Sequence, residues 1–224
     1  MQICGPISPL SLGKSSYFLL FIDDYTRKAW VYFLKNKSEA FDCFKRFKAV
    51  IEKESGYEIK SLRTDRGGEF TSNEFKSLCE LHGIRRFLTV AGSPQQNGVV
   101  ERKNRTILNM ARSMLKSKNM PEEFWAEAVA CTVYVSNRSP TKSLKDVTPQ
   151  EAWSRQKPSV SHLRVFGSIA YVHVPKQERS KLDDRSEKFI FIGYDENSKG
   201  YRLFNPDSGK FITSRDIEFD EGKS

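Results

Sequence analysis

The sequence predicts an α/β domain followed by a small all-β barrel. Three observations predict it. Up to Arg138, apolar runs of strand length alternate with stretches of helical periodicity. Residues 139–161 are rich in Ser, Pro and Lys and read as a linker or strap. From His162 onward the apolar runs become short and evenly spaced, with turn chemistry such as Asn205-Pro206-Asp207-Ser208-Gly209 between them. The expected division is therefore 1–138, a linker over 139–161, and a β domain over 162–224.

Tyr17–Ile22 (YFLLFI) and Ala29–Leu34 (AWVYFL) are strands joined by Asp23-Asp24-Tyr25-Thr26-Arg27, an antiparallel pair near the middle of a sheet. Ser38 caps a helix, with Glu39 in its first turn. Phe41, Phe44, Phe47 and Ile51 fall at helical spacing, and Gly56 ends it. A strand over 59–64 leads into Asp65. Ser72 caps the next helix, which carries Phe75, Leu78, Cys79 and Leu81 before Gly83, and 84–90 is a further strand. Residues 91–97 form a Gly/Ser/Pro/Gln loop. A long helix then spans 98–117, with a core stripe of Val100, Ile107, Ala111 and Met114. Asn97, Glu101, Arg105 and Arg112 line a different face. Pro121 starts one more helix, and a short one covers 148–153. The strands of the β domain are expected at 169–174, 189–193, 201–204, 211–213 and 217–219.

The chain has 224 residues, 38% of them hydrophobic, so a real core can form. Its formal net charge of +9 favours an anionic partner, nucleic acid above all. The charge is uneven. Eight Lys/Arg face one acid, Glu101, between Gly83 and Lys118, whereas seven bases face ten acids from Asp183 to the end. The four cysteines form no CxxC pair and the three histidines lack zinc-ligand spacing, which speaks against zinc. Cys43 and Cys79 sit at apolar-periodic positions, as reduced core residues of an intracellular protein. No apolar stretch approaches 18 residues, so no membrane partner is expected.

Asp65 and Glu101 carry the chemistry. One carboxylate at a strand end and another on a helix can converge on hard divalent cations, and two such metals can activate a nucleophile and stabilise a leaving oxygen in phosphodiester chemistry. Each residue has a plainer reading taken alone. Asp65 precedes Arg66-Gly67-Gly68 and suits a turn. Glu101 suits an i,i+4 pair with Arg105.

Taken together, these stretches resemble the integrase region of copia-type LTR retrotransposon polyproteins, most like those of plants. The resemblance rests on Cys4-Gly5-Pro6, Tyr17–Lys28 (YFLLFIDDYTRK), Leu62–Ser72 (LRTDRGGEFTS), Ser93–Thr106 (SPQQNGVVERKNRT), His162–Gly167 (HLRVFG), Phe189–Tyr194 (FIFIGY) and Lys199–Leu203 (KGYRL). It implies a ribonuclease-H-like mixed sheet flanked by helices, then an SH3-like barrel. It also implies an Asp-Asp-Glu triad whose last two members stand 35 residues apart, as Asp65 and Glu101 do. Two Mg²⁺ or Mn²⁺ ions would be the cofactors, bound by Asp65 and Glu101. DNA, as element ends and target, would be the substrate, with Asn97, Arg102, Lys103 and Arg105 contacting it. The resemblance further implies a homo-oligomer acting in the nucleus, after a cytoplasmic or virus-like-particle stage. The zinc-binding domain that precedes such cores lies outside this sequence, which reads as a polyprotein fragment.

One position departs from the pattern. The family's first Asp stands two residues before the Cys of Cys-Gly-Pro, where this chain has Gln2. An amide brings no charge, and charge count tunes affinity for hard cations. Asp23 and Asp24 are expected to be turn residues, at the far end of a strand from that position, and not substitutes. Two functions follow as alternatives: an integrase-type polynucleotidyl transferase impaired by Gln2, or an inactive integrase-derived module that binds DNA or self-associates. A ribonuclease-H-type nuclease is a third. It leaves the loop and helix over Gln95–Arg105 and the SH3-like tail unexplained.

Overall fold

The computed structural model describes residues 1–88, 98–174, 185–195 and 198–222. Its backbone forms two compact units, Met1–Ile107 and Leu108–Ser224.

In the first unit, β1 (Gln2–Cys4), β2 (Tyr17–Ile22) and β3 (Ala29–Leu34) form an antiparallel sheet in that order. β4 (Ser61–Thr64) and β5 (Arg85–Leu88) pair in parallel. Both strand orientations of the expected mixed sheet are therefore present. The continuous apolar run of β2 has the predicted consequence, with Phe18, Leu19, Leu20 and Phe21 all buried. α1 (Ala40–Ser55) buries Phe44, Phe47 and Ile51 and lays Phe44 and Phe47 against Phe21 of this strand, with Phe21 stacked on Phe47 at 3.9 Å between ring centroids. Phe44 continues the stack to Phe75 at 5.1 Å.

The helix boundaries follow local chemistry. Gly56 adopts a left-handed conformation and ends α1. At the other end a 3₁₀ turn over Lys37–Glu39 precedes α1, so Ser38 lies inside the turn and is not its cap. The Glu39 carboxylate accepts from the N–H groups of Lys35 and Asn36 at 3.2 Å, which draws the helical start back by two residues. α2 (Gly68–Thr71) is a single turn that sequence periodicity is too short to signal. α3 (Asn73–Leu81) is capped as expected by Ser72, whose hydroxyl accepts from Phe75 N at 3.2 Å. α4 spans Gly98–Ser117 as predicted. The expected loop 91–97 and the last two residues of the strand expected over 84–90 lie outside the described residues.

The second unit holds α5 (Trp125–Asn137), α6 (Pro149–Ser154) and an antiparallel sheet of five strands. These are β6 (Ile169–His173), β7 (Ser186–Asp195), β8 (Gly200–Phe204), β9 (Phe211–Ser214) and β10 (Ile217–Asp220), in the order β10-β6-β7-β8-β9. Ala170, Phe189, Phe191 and Leu203 make its core, lined by Val172, Tyr194, Tyr201, Ile212, Ile217 and Phe219. The register of β7 on β8 shifts between Phe191 and Gly193, and Gly193 sits there at φ +140°, a bulge only glycine adopts readily.

The expected boundary at 138/139 does not coincide with a gap in packing. Phe124 meets Phe204 at 5.1 Å and Tyr134 stacks on Tyr194 at 4.2 Å. His162, the first residue after the expected linker, bonds the Tyr134 hydroxyl through Nε2 at 2.8 Å. Residues on both sides of the expected linker therefore pack into one unit, and the compact units divide at 107/108.

Candidate active site

The site is built on β1. Its residues pair in register with β2, Gln2 opposite Leu20 and Cys4 opposite Phe18. Gly5 follows at φ +129°, and a Cβ there would lie 2.6 Å from the Ser16 carbonyl oxygen, so the Cys-Gly-Pro motif marks a close backbone approach. At the start of the strand the Met1 amine donates to the Arg63 carbonyl at 2.6 Å, which sets β1 beside β4 two residues short of Asp65. On its other flank, Asn104 of α4 donates from Nδ2 to Gln2 Oε1 at 3.0 Å. The two elements bearing Asp65 and Glu101 thus both meet β1 at residues 1 and 2.

Asp65 follows the last residue of β4 and is half-buried. Its Oδ1 accepts from Gly67 N at 3.0 Å, the turn that its sequence context suggests. Its second carboxylate oxygen has no protein donor among the described residues. Glu101 lies in the first turn of α4, also half-buried, one turn before Asn104 and on the same side. No ion pair joins it to Arg105 among the described residues, so that plainer reading of Glu101 fails.

The basic residues divide. Arg102 and Arg105 are exposed, and Arg102 folds back so that a Cβ at Gly98 would come within 3.0 Å of its guanidinium. Lys103 instead sits between Val100 and Ile107 on the inner side of the helix, where burial holds its amine below the usual lysine range. Asn97 lies outside the described residues.

Sequence reasoning missed Asn104. It stands between Val100 and Ile107 in the core stripe of α4, which runs Val100, Asn104, Ile107, Ala111 and Leu115, all buried. A carboxamide interrupting an apolar stripe was the available signal. Asn104 is 7% exposed, and its own Oδ1 is buried without a partner among the described residues. So is the Thr64 hydroxyl, one residue before Asp65.

The turn Asp23–Lys28 holds a correction. Because β1 and β2 are antiparallel and Gln2 faces Leu20, the turn lies at Gln2's own end of the sheet and not at the far end. Burial holds the Met1 amine below its ordinary range, at about 6, and the nearby Asp65 and Asp24 carboxylates offset this only in part. What disqualifies the pair as substitutes is engagement. Asp23 accepts from the N–H and the hydroxyl of Thr26, each at 2.7 Å, and Asp24 pairs with Arg27 at 3.2 Å.

The donor set decides which metals the site suits. Position 2 supplies an amide oxygen that already accepts a hydrogen bond, and the orphaned Asn104 oxygen beside it is neutral too. Asp65 and Glu101 supply two negative charges, one fewer than an acid at position 2 would give, and ligand charge count tunes affinity for hard cations. No group of three or more His, Cys, Asp or Glu residues suited to a metal occurs among the described residues. The residues present do not fit a two-metal centre.

Comparison with known proteins defines the class. Residues 2–94 match the integrase core domain and residues 168–224 the retroviral polymerase SH3-like domain. The integrase core family is generally dependent on divalent metal. The chain is 49% identical over 222 residues to the retrovirus-related Pol polyprotein from transposon TNT 1-94 of Nicotiana tabacum, covering 99% of this chain and 17% of that protein. It is 34% identical to the Pol polyprotein from transposon RE2 of Arabidopsis thaliana, over 95% of this chain and 14% of that one. Among solved structures, a chain of the simian T-cell lymphotropic virus intasome in complex with the PP2A regulatory subunit B56 gamma matches with a TM-score of 0.51. It does so at 16% identity, over 97% of this chain and 77% of that one, a likeness of fold alone. The chain belongs to the copia-type retrotransposon Pol polyproteins, of which it carries the integrase core and the SH3-like domain. It spans about a sixth of the length of the tobacco polyprotein it matches.

Proposed function

We propose that this chain is an integrase-type polynucleotidyl transferase domain of retrotransposon DNA integration that keeps a DNA-binding face and has lost most or all of its transfer chemistry. One observation carries the reading: Gln2, neutral and tied to Asn104, stands where β1, β4 and α4 bring the elements of Asp65 and Glu101 together. An acid at that position would complete a triad; the amide leaves two carboxylates. Arg102 and Arg105, exposed next to Glu101, are placed to hold DNA phosphates, contacts that position the duplex without reading its sequence. Lys103, being half-buried on the inner side, contributes less to that contact than the sequence suggests. DNA ends and target DNA are the partners of this reading, a multimer its working form and the nucleus its place of action. No helix among the described residues is long and apolar enough to cross a membrane.

The test has two arms. Fluorescence anisotropy with duplex DNA in EDTA is expected to show salt-dependent binding. The double substitution Arg102→Glu and Arg105→Glu is expected to weaken it and to lower the salt slope by roughly 2, one for each phosphate that the arginines no longer neutralise. Strand transfer with Mg²⁺ or Mn²⁺ is expected to be absent, and to be recoverable only when Gln2→Asp is present. Strand transfer by the unsubstituted chain defeats the claim of lost chemistry; DNA affinity indifferent to the double substitution defeats the claim about the binding face.

A further inference from the structure

β5 is an edge strand of the first unit. Among the described residues it pairs with β4 alone, and the parallel register from Ser61↔Arg85 to Thr64↔Leu88 assigns its main-chain groups to two sides. The Arg85 N–H donates to the Lys60 carbonyl at 3.0 Å, so Arg85 and Phe87 bond toward β4. The N–H and C=O groups of Arg86 and Leu88 alternate with these and point outward, to the open edge. The side chains of Ile84, Arg86 and Leu88 share one face of the strand, and Lys76, Cys79 and Glu80, at i, i+3 and i+4, share one side of α3. These six residues line a cavity of about 560 Å³ between strand and helix.

Arg86 brings this groove a charge without a counterion. It is half-buried; its Nη2 donates to the Phe70 carbonyl, its guanidinium lies over the Phe75 ring at 5.3 Å, and its Nε is buried without a partner among the described residues. No carboxylate pairs with it among the described residues, and the sequence holds no acid between Glu80 and Glu101. Glu80 pairs instead with Lys76 at 3.8 Å, with side chains 67% and 64% exposed, a screened contact that an incoming carboxylate displaces readily.

We propose that the groove between α3 and β5 is a docking site for an extended acidic peptide of a partner protein, which adds a strand to the outer edge of β5 and places a carboxylate between Arg86 and Lys76. Strand addition takes its affinity from main-chain hydrogen bonds and its selectivity from pockets for alternate side chains. Arg86 and Lys76 select an acid at one inward position. Cys79, Ile84 and Leu88 offer apolar walls to the inward positions on either side. Arg85 and Arg86 set the edge against pairing with a second copy of itself, because like charges then face each other across the pair. A phosphodiester chain brings no N–H donor for the outward carbonyls of Arg86 and Leu88, so a peptide fits this edge better than nucleic acid does. The groove uses no residue of β1 or α4 and is independent of the reading of Asp65 and Glu101.

The probe is a fluorescein-labelled peptide, Gly-Val-Thr-Glu-Thr-Val-Gly, capped at both ends, whose Val, Glu and Val share one face when extended. It is expected to bind the full chain saturably, roughly tenfold more tightly than the same peptide with Gln in place of Glu. N-methylation at alternate residues is expected to abolish binding in one frame and to spare it in the other, because an added strand bonds through every second residue. Hydrogen exchange in the complex is expected to slow at the Arg86 and Leu88 amides and to stay unchanged at Arg85 and Phe87, which already bond toward β4. Lys76→Glu, on an exposed face of α3, is expected to weaken peptide binding about threefold or more and to leave duplex-DNA affinity within about twofold. Absence of peptide binding at millimolar concentration overturns the proposal, as do equal affinities of the Glu and Gln peptides and equal effects of the two methylation frames. A Lys76→Glu chain that loses DNA affinity at least as much as peptide affinity also overturns it and makes the groove a phosphate site.

Discussion

The two units hold themselves together by different chemistry. Behind β2, the first unit packs phenylalanine on phenylalanine: Phe47, Phe21, Phe44, Phe75 and Phe70 meet in that order, and the Arg86 guanidinium lies over the outer ring of Phe75 at 5.3 Å. The second unit uses tyrosines whose rings pack and whose hydroxyls tie down the distant segment His162–Arg164. Tyr194 Oη accepts from Arg164 N at 2.9 Å, Tyr201 Oη donates to the His162 carbonyl at 3.0 Å, and Tyr134 meets the His162 ring. A dry stack is strong and indifferent to neighbouring backbone. A wet one places a particular loop, at the cost of polar groups that must all find partners.

That contrast is broken most forcefully in the dry stack. Phe44 is fully buried and bridges Phe21 to Phe75, so Phe44→Ala opens a cavity that the surrounding rings cannot fill. The expected cost is about 3–5 kcal/mol. Denaturant unfolding followed through Trp30, which packs edge-on against Phe47 at 5.5 Å, measures it. A loss below about 1 kcal/mol would show that the stack is loosely packed after all. Tyr194→Phe is the matching change in the second unit. It keeps the ring stack with Tyr134 and removes only the hydroxyl, leaving the Arg164 N–H without its acceptor. The expected loss is about 1–2 kcal/mol. Hydrogen exchange should quicken around Arg164 while β8 and β9 stay protected, and uniform loss of protection through the unit would contradict a local tie.

The same contrast explains what could be read from the sequence. The dry stack was legible, because Phe44, Phe47 and Ile51 recur at helical spacing and YFLLFI is an unbroken run. The cap at Ser72 was legible for the same reason: its chemistry is local. What escaped is non-local. Nothing near His162 announces that it will meet Tyr134 and Tyr201. Nothing near Asn104 announces Gln2, although a polar residue at a core position was a hint. Asp65, Glu101 and the departure at Gln2 were singled out through motif and spacing. The side on which the Asp23–Lys28 turn falls needed the β1–β2 register, which composition and periodicity do not contain. Met114 shows the limit of periodicity itself: it is half-buried, and Leu115 takes the core position beside it.

The smallest expected effect tests how well the second unit satisfies its polar interior. Glu127 of α5 lies among apolar neighbours, and its Oε2 is buried without a partner among the described residues. Its other oxygen is 3.9 Å from Arg202, a guanidinium whose side chain is 42% exposed and therefore well screened. Burial raises the Glu127 carboxyl above the ordinary 4.5, and Arg202 offsets this only in part. A raised folded-state value means that the folded chain binds the proton more tightly than the unfolded chain. The stability so gained is complete below the unfolded value of about 4.5 and is lost as pH rises through the folded one. Above that window the carboxylate is charged in both states and suffers burial only in the folded one. Glu127→Gln removes the penalty and keeps the shape, so it should raise stability at mildly alkaline pH by up to about 1 kcal/mol. The advantage should shrink to nothing as pH falls below about 4.5, where both side chains are neutral. Melting of the two chains across that range measures the difference. A glutamine chain that is less stable at alkaline pH would show that the Arg202 contact outweighs desolvation, and that the wet core is better satisfied than its orphaned oxygen implies.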